Sequence, residues 1–275
     1  AWFDDVSLSL APFQVNHQRI LPGAYGGNSL DYSARLSLPA QWRLSVVQGD
    51  RILHETEGRG MAASLAWNGR DGDGVLQPGG DYTIRLMAND DLRGETLRHE
   101  ATTTTPSGES RGYLAWTESS MNRVLVNSLP AETASSSAAI ALARGEYESF
   151  QVVVRAAPGN PLSDCTVDVG DLHGPGGAIL SRKCIQWRQV GFVHIAELFN
   201  HPHLPEDAVP GWWPDPLLPV SRFQVPEATT QSIWFTLHAP RGTPAGRYEG
   251  TVAIRPGNAP ATQVAVEATV YDFDL

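Results

Sequence analysis

Positive charge is in short supply: 20 Lys+Arg stand against 30 Asp+Glu, giving a formal net charge of −10 at pH 7. That balance argues against nucleic acid or an anionic membrane surface as the main partner. No apolar run approaches the roughly 18 residues a spanning helix needs, so no membrane insertion is expected. The opening Ala1-Trp2-Phe3-Asp4-Asp5 has neither the charged nor the apolar region of a signal peptide. The numbering is therefore expected to start inside a mature or truncated protein. Helical spacing of apolar residues is also scarce, which leaves few places for amphipathic helices.

Short alternating runs take its place, punctuated by 26 glycines and 20 prolines, and this is the signal of an all-β chain. A length of 275 residues accommodates one large or two ordinary domains. The reading is two β-sandwich domains in tandem, immunoglobulin-like or jelly-roll-like. The chain holds 2 cysteines, Cys165 and Cys184. They flank a turn, His173-Gly174-Pro175-Gly176-Gly177, that would place them nearly opposite on paired strands. Either they form a disulfide, as suits a secreted or cell-surface protein, or they are two small buried hydrophobes.

The stretch Gly211-Trp212-Trp213-Pro214-Asp215-Pro216-Leu217-Leu218-Pro219 organises the functional question. Its prolines exclude a helix or a central strand, so it reads as a stiff loop. Two adjacent tryptophans in such a loop either plug into a neighbouring surface or meet a ligand. Trp212 and Trp213 could stack on a pyranose while Asp215 accepts hydroxyl hydrogen bonds. They could equally dock against another domain, and docking is the preferred of the two readings.

Along the chain, residues 1–10 alternate as one strand. Trp2-Phe3-Asp4-Asp5-Val6-Ser7-Leu8 resembles the last strand of many carbohydrate-binding jelly-roll modules, which implies an upstream domain. Residues 11–106 read as a small sandwich with strands at Ser29–Leu38, Trp42–Gln48, Arg51–Glu57, Ala62–Trp67 and Tyr82–Ala88. Trp67-Asn68-Gly69-Arg70-Asp71-Gly72-Asp73-Gly74 followed by Pro78-Gly79-Gly80-Asp81-Tyr82 resembles the immunoglobulin-like domain of flagellar hook-capping proteins. Asp71 and Asp73 invite a calcium reading, but the spacing fails the EF-hand pattern and a Gly/Asp turn explains them. Residues 107–112 form a linker after the threonine run Thr102–Thr105.

Residues 113–275 read as a larger all-β unit. Strands are expected at Tyr113–Thr117, Asn122–Leu125, Ala138–Ala143, Ser149–Arg155, Thr166–Leu172, Ile179–Arg188, Gly191–Ala196, Ser232–His238 and Ala261–Tyr271. Ser149–Arg155 is the most apolar and should lie inside a sheet. Pro244-Ala245-Gly246-Arg247-Tyr248 echoes Pro78–Tyr82, each a tight turn whose tyrosine could cover a sandwich edge.

Gly145-Glu146-Tyr147-Glu148-Ser149-Phe150-Gln151, Trp213-Pro214-Asp215-Pro216-Leu217-Leu218-Pro219, Trp234, Thr243–Gly250 and the terminal Val270–Leu275 together resemble the N-terminal β-sandwich of glycoside hydrolase family 123. Gly145 departs from the family, which has a larger polar residue there. The resemblance implies a parent enzyme that is a retaining β-N-acetylgalactosaminidase acting with substrate assistance. Its Asp-Glu pair would lie in a (β/α)8 barrel following this sandwich, so no catalytic residue maps onto this sequence.

Other catalytic or metal sites are weaker readings. Asp215 with Glu206 or Asp207 could form a carboxylate pair, though sequence gives no separation. His194, His201 and His203 with Glu197, Glu206 and Asp207 hold possible ligands, but their spacing matches no established closed site. No metal and no cofactor are expected. The leading expectation is a non-catalytic accessory region of a secreted glycan-active protein, partnered by a missing C-terminal barrel and an upstream domain. The alternatives are a structural subunit that self-associates through the N-terminal strand, and a carbohydrate-binding module.

Overall fold

The structure is a computed structural model that describes residues 11–108, 112–131, 134–196 and 211–275. The strand expected at residues 1–10 lies outside the described residues. The chain divides into two compact units, Ala1–Glu109 and Ser110–Leu275, and among the described residues it is all-β apart from short 3-10 turns.

The first unit contains β1 (Val15–Pro22), β2 (Leu30–Gln48), β3 (Arg51–Trp67), β4 (Gly80–Asp90) and β5 (Thr96–Thr105). They form a five-stranded antiparallel sheet in the order β1-β2-β4-β5, with β3 along the other side of β2. Alternation decides what is buried. Leu30, Tyr32, Ala34 and Leu36 of β2, Ala63, Leu65 and Trp67 of β3, and Tyr82, Ile84, Leu86 and Ala88 of β4 share one core. Each fully buried large apolar side chain contributes about 1.5–3 kcal/mol relative to exposure.

Four of the expected strands are halves of two longer ones. Ser29–Leu38 and Trp42–Gln48 merge in β2, and Arg51–Glu57 and Ala62–Trp67 merge in β3. The pairing slips between Arg35 and Ala40, around Pro39, without ending the ladder. Gly58 looks like a breaker but faces Trp42 across the strands, and a Cβ there would lie 2.3 Å from the Trp42 ring. Its role is to leave room for an aromatic ring. β2 pairs β1 before the slip and β4 after it, and both halves contribute to the same core, so the sheet curls around it.

The Trp67–Tyr82 motif closes one corner of this sheet. The two rings meet edge to face at 4.9 Å, and the Tyr82 hydroxyl donates to the Pro78 carbonyl. The Asp71 carboxylate accepts the backbone N–H of Val75 (2.9 Å) and of Asp73 (3.1 Å), and the Gln77 side-chain amide at 2.9 Å. The Val75 N–H above all, with that of Asp73 and the Arg51 guanidinium, holds this carboxyl below its usual range against the opposing effect of burial. Asp71 therefore ties the turn together as an anion.

The second unit is a sandwich. Its strands are β6 (Tyr113–Ser119), β7 (Ser137–Arg144), β8 (Tyr147–Ala156), β9 (Leu162–Val169), β10 (Leu172–His173), β11 (Ile179–Leu180), β12 (Ile185–Ile195), β13 (Gly211–Leu218), β14 (Phe223–Val225), β15 (Thr230–His238), β16 (Gly246–Arg255) and β17 (Thr262–Asp274). One seven-stranded sheet runs β11-β10-β16-β17-β7, with β9 pairing β16 and β14. The other, five-stranded, runs β13-β12-β15-β8-β6. As expected, β8 lies inside a sheet. Its Phe150, Val152 and Val154 enter the main core, while Val153 faces the other way into a smaller cluster with Trp116 and Val124.

Asn122–Leu125, expected as a strand, is instead part of a loop drawn over the outer face of β8 and β15. Gln151 Nε2 donates to the carbonyls of Ser119 and Asn122, both at 2.8 Å, and Thr230 N–H donates to Val126 at 2.8 Å. Buried amide and hydroxyl groups on this face thus find partners in the loop.

The long cysteine hairpin does not form. The Gly-Pro-Gly-Gly turn closes only β10 and β11, pairing Leu172 with Leu180 and His173 with Ile179. β9 pairs instead with the apolar β16, Val167 opposite Ile254 and Val169 opposite Val252, and Cys165 faces Phe223 of β14. Cys184 ends a 3-10 turn ahead of β12, in the other sheet, and both cysteines are free thiols. Tertiary apolar pairing outweighs the local turn.

The Tyr82 arrangement recurs at Tyr248, whose hydroxyl donates to the Pro244 carbonyl at 2.7 Å. Gly174 lies against the Tyr248 ring, where a Cβ would approach within 2.3 Å. Replacing Tyr248 by phenylalanine removes one hydrogen bond of a buried ring, and replacing Tyr82 removes that to Pro78 together with a long one accepted from the Asn28 side-chain amide at 3.4 Å. Tyr82→Phe and Tyr248→Phe should each cost about 1 kcal/mol, read as a lowered urea midpoint with unchanged slope.

Candidate functional site

Trp212, Trp213 and Asp215 lie on a strand, contrary to the loop expected for them. Gly211–Leu218 is β13, the edge strand of the five-stranded sheet. Its prolines do exclude a central position, but an edge strand tolerates them because one side of its ladder is unpaired. The register sets Trp212 opposite His194, Trp213 opposite Val193 and Pro214 opposite Phe192. It then slips, so that Asp215 and Pro216 together oppose Gly191. This is a β-bulge, and Gly191 makes it possible: a Cβ there would lie 2.8 Å from Pro216 Cγ and 3.1 Å from Leu218 Cδ1.

Successive strand residues point to opposite faces, so the two tryptophans do different things. Trp212 is 53% exposed and meets His194 edge to face at 5.1 Å. Trp213 is half-buried, with the Arg123 guanidinium carbon 4.7 Å from its ring centroid. Such a cation–π contact contributes about 0.5–1 kcal/mol at an exposed site. Arg123 belongs to the loop that Gln151 anchors, so the core of the sandwich indirectly positions it. Nothing near Trp213 in the sequence announces Arg123, since the two meet only through tertiary structure.

Asp215 is exposed at the bulge, and Leu217 and Leu218 are exposed beside it at 45% and 38%. Pro214 and Pro216 carry no backbone N–H, which makes β13 a poor partner for a further strand. Among the described residues, one concavity lies beside β6, β7 and β8 and another beside β9 and β16.

The other candidate residues are dispersed. His194 is on β12, whereas Glu197, His201, His203, Glu206 and Asp207 lie outside the described residues. Among the described residues no group of three or more His, Cys, Asp or Glu side chains is arranged to hold a metal. Asp71 and Asp73 belong to the turn of the first unit. Burial pushes the Cys165 thiol up to about 11, with the nearby Asp164 adding to the shift. Glu146 and Glu148 of the Gly145–Gln151 motif serve the backbone, accepting the N–H of Ala143 at 2.6 Å and of Ser149 at 2.7 Å.

Two outcomes follow for this edge and the thiols. Gly191→Val should lower stability by about 1–3 kcal/mol through overpacking at the bulge. Trp212→Ala, at an exposed position, should stay within about 0.5 kcal/mol in the same urea titration. With its thiol held neutral at physiological pH, Cys165 should resist iodoacetamide in the native protein. Both cysteines should alkylate after unfolding without reductant, as mass spectrometry will report.

Comparison with known proteins adds a family to this geometry. Residues 119–256, about half of the chain, match the family model described as the glycoside hydrolase 123 N-terminal domain. Among solved structures, the chain is similar to a family 123 glycoside hydrolase from Clostridium perfringens studied for glycolipid glycan hydrolysis, at 13% identity and a TM-score of 0.50. That similarity covers 59% of this chain and 28% of the other, so this chain spans only a minor part of that enzyme. A looser similarity, 7% identity and a TM-score of 0.26, covers 88% of this chain and 92% of the C-terminal domain of the Streptococcus pyogenes antigen I/II-family protein AspA. No curated protein matches. No helix among the described residues is long and apolar enough to cross a membrane.

Proposed function

The chain belongs to the glycoside hydrolase 123 N-terminal domain family, and from that premise we propose that it is the non-catalytic accessory region of a secreted or cell-surface glycan-active protein. A catalytic barrel carried outside these residues would do the chemistry, with a β-N-acetylgalactosaminide as the expected class of substrate. The immunoglobulin-like resemblance of residues 11–106 fits the same reading, as an appended spacer or binding module.

One observation carries the proposal: the β13 edge exposes Trp212, Leu217 and Leu218 on a strand stiffened by Pro214 and Pro216. A stiff apolar edge of this kind suits a seat for a neighbouring domain, because its prolines lower the ordering cost of the contact. A second reading rests on Trp212 itself. A ring 53% exposed beside His194 is also suited to stacking on the C–H face of a sugar.

The intact mass of the protein from its native source tests the first reading. A mass well above the 29.8 kDa of this chain, with N-acetylgalactosaminide hydrolysis that this chain alone lacks, is the expected result. In that longer protein, Trp212→Ala combined with Leu217→Ala should lower the melting temperature of the catalytic part. A native mass of 29.8 kDa would sink the hydrolase reading and leave glycan binding, or assembly through Ala1–Leu10, to account for function.

A further inference from the structure

Among the described residues, β7 is the outermost strand of the seven-stranded sheet, paired in parallel with β17 on one side only. The backbone groups of a strand turn alternately to its two edges, and the hydrogen bonds at the ends of β7 show which residues turn outward. Ser137 N–H donates to Ser135 Oγ at 3.0 Å, and its carbonyl accepts from Thr117 Oγ1 at 2.8 Å. Ala143 N–H donates to the Glu146 carboxylate at 2.6 Å, and its carbonyl accepts the Glu146 N–H at 3.3 Å. Ser137 and Ala143 therefore turn away from β17, and so do Ala139 and Ala141 between them. The outer two are capped by local loops. The inner two have no backbone partner among the described residues, which leaves two N–H and two C=O groups open.

This gap faces a concavity of about 510 Å³. β7 borders it from Ser137 to Ala141, about 13 Å of extended chain. Ile140 and Phe150 give it an apolar floor, and Met121, 89% exposed, an apolar wall. Of its lining residues Glu118 and Glu148 are charged, and none is Lys or Arg. Sheet edges are commonly guarded by a proline, a bulge or a lysine. β13 has the first two, whereas β7 has none of the three from Ser137 to Leu142, where its register against β17 is unbroken.

We propose that this gap takes up an extended basic peptide of a partner protein as an added strand. The peptide backbone pairs with Ala139 and Ala141, one apolar side chain lies over Ile140 and Phe150, and a Lys or Arg reaches Glu118 or Glu148. Charge decides among the occupants. A second copy of this chain brings the same acidic groove and a net charge of −10. Ala1–Leu10 carries two aspartates and no basic side chain. A saccharide finds no open aromatic face, because Phe150 is 3% exposed and stacks on Phe235.

Titration with the peptide acetyl-Lys-Thr-Val-Thr-Lys-amide, whose Lys and Val side chains share one face, tests this by calorimetry and by NMR amide exchange. It should bind at least about tenfold more tightly than acetyl-Glu-Thr-Val-Thr-Glu-amide, and more weakly as salt is raised. The N–H groups of Ala139 and Ala141 should gain protection from exchange. Ala139→Pro removes one outward N–H and spares the β17 ladder, so it should weaken binding about tenfold or more with the melting temperature preserved. One of two N-methylated peptides, at Val or at both Thr, should lose binding as well, with the protein unaltered. Glu118→Gln combined with Glu148→Gln should erase the preference for the basic peptide. The proposal is overturned if the basic peptide does not bind at millimolar concentration, or binds without protecting Ala139 and Ala141. Tighter binding of a synthetic Ala1–Leu10 peptide, or a dimer that Ala139→Pro dissociates, assigns the edge to this chain itself and equally overturns it. The glycan-active reading stands or falls separately, on the native mass.

Discussion

The second unit depends on a strand buried on both sides. β8 sends Phe150, Val152 and Val154 into the main core, where Phe150 stacks on Phe235 of β15 at 5.1 Å. Its opposite face cannot be left to water, because Gln151, Val153 and Arg155 are buried there as well. The loop from Ser119 to Ser128 covers them, and Gln151 completes its bonding by accepting the Ser232 hydroxyl at 2.6 Å. A buried amide left without these partners would cost about 1–3 kcal/mol. The same loop brings Arg123 to Trp213. The exposed edge is thus connected to the core through the polar groups of one strand.

Edges are handled differently around the sandwich. β13 carries two prolines and a bulge, which disfavour pairing with a further strand. Beyond Cys165, β9 borders a groove lined by charged and hydroxyl groups instead. The apolar edge and the polar concavity belong to strands of different sheets.

Both units also use one corner device. Tyr82 and Tyr248 each donate to the carbonyl of a proline four residues earlier, and each ring is buried. The spacing Pro-x-Gly-x-Tyr was legible because every participant is local: the proline shapes the turn, the glycine takes φ of 155° or 139°, and the tyrosine follows at once. Longer-range features were less legible. Gly58 and Pro39 looked like strand ends, yet one accommodates Trp42 and the other sits in a slipped ladder. The Gly-Pro-Gly-Gly turn was read correctly as a turn. The strands expected to extend from it found better apolar partners elsewhere.

By itself the sequence determined the all-β class, the internal position of β8, the tyrosine corners and the exclusion of Trp212–Leu218 from a sheet centre. These follow from alternation, turn chemistry and the missing N–H of proline, all set by residues close in the chain. Only the tertiary structure decided that Gly211–Leu218 is an edge strand, that Cys165 joins a sheet while Cys184 ends a 3-10 turn, and that Arg123 reaches Trp213. Each of those outcomes depends on which distant strand offers the most apolar surface to bury, and a residue's own neighbours in the chain carry no record of that competition.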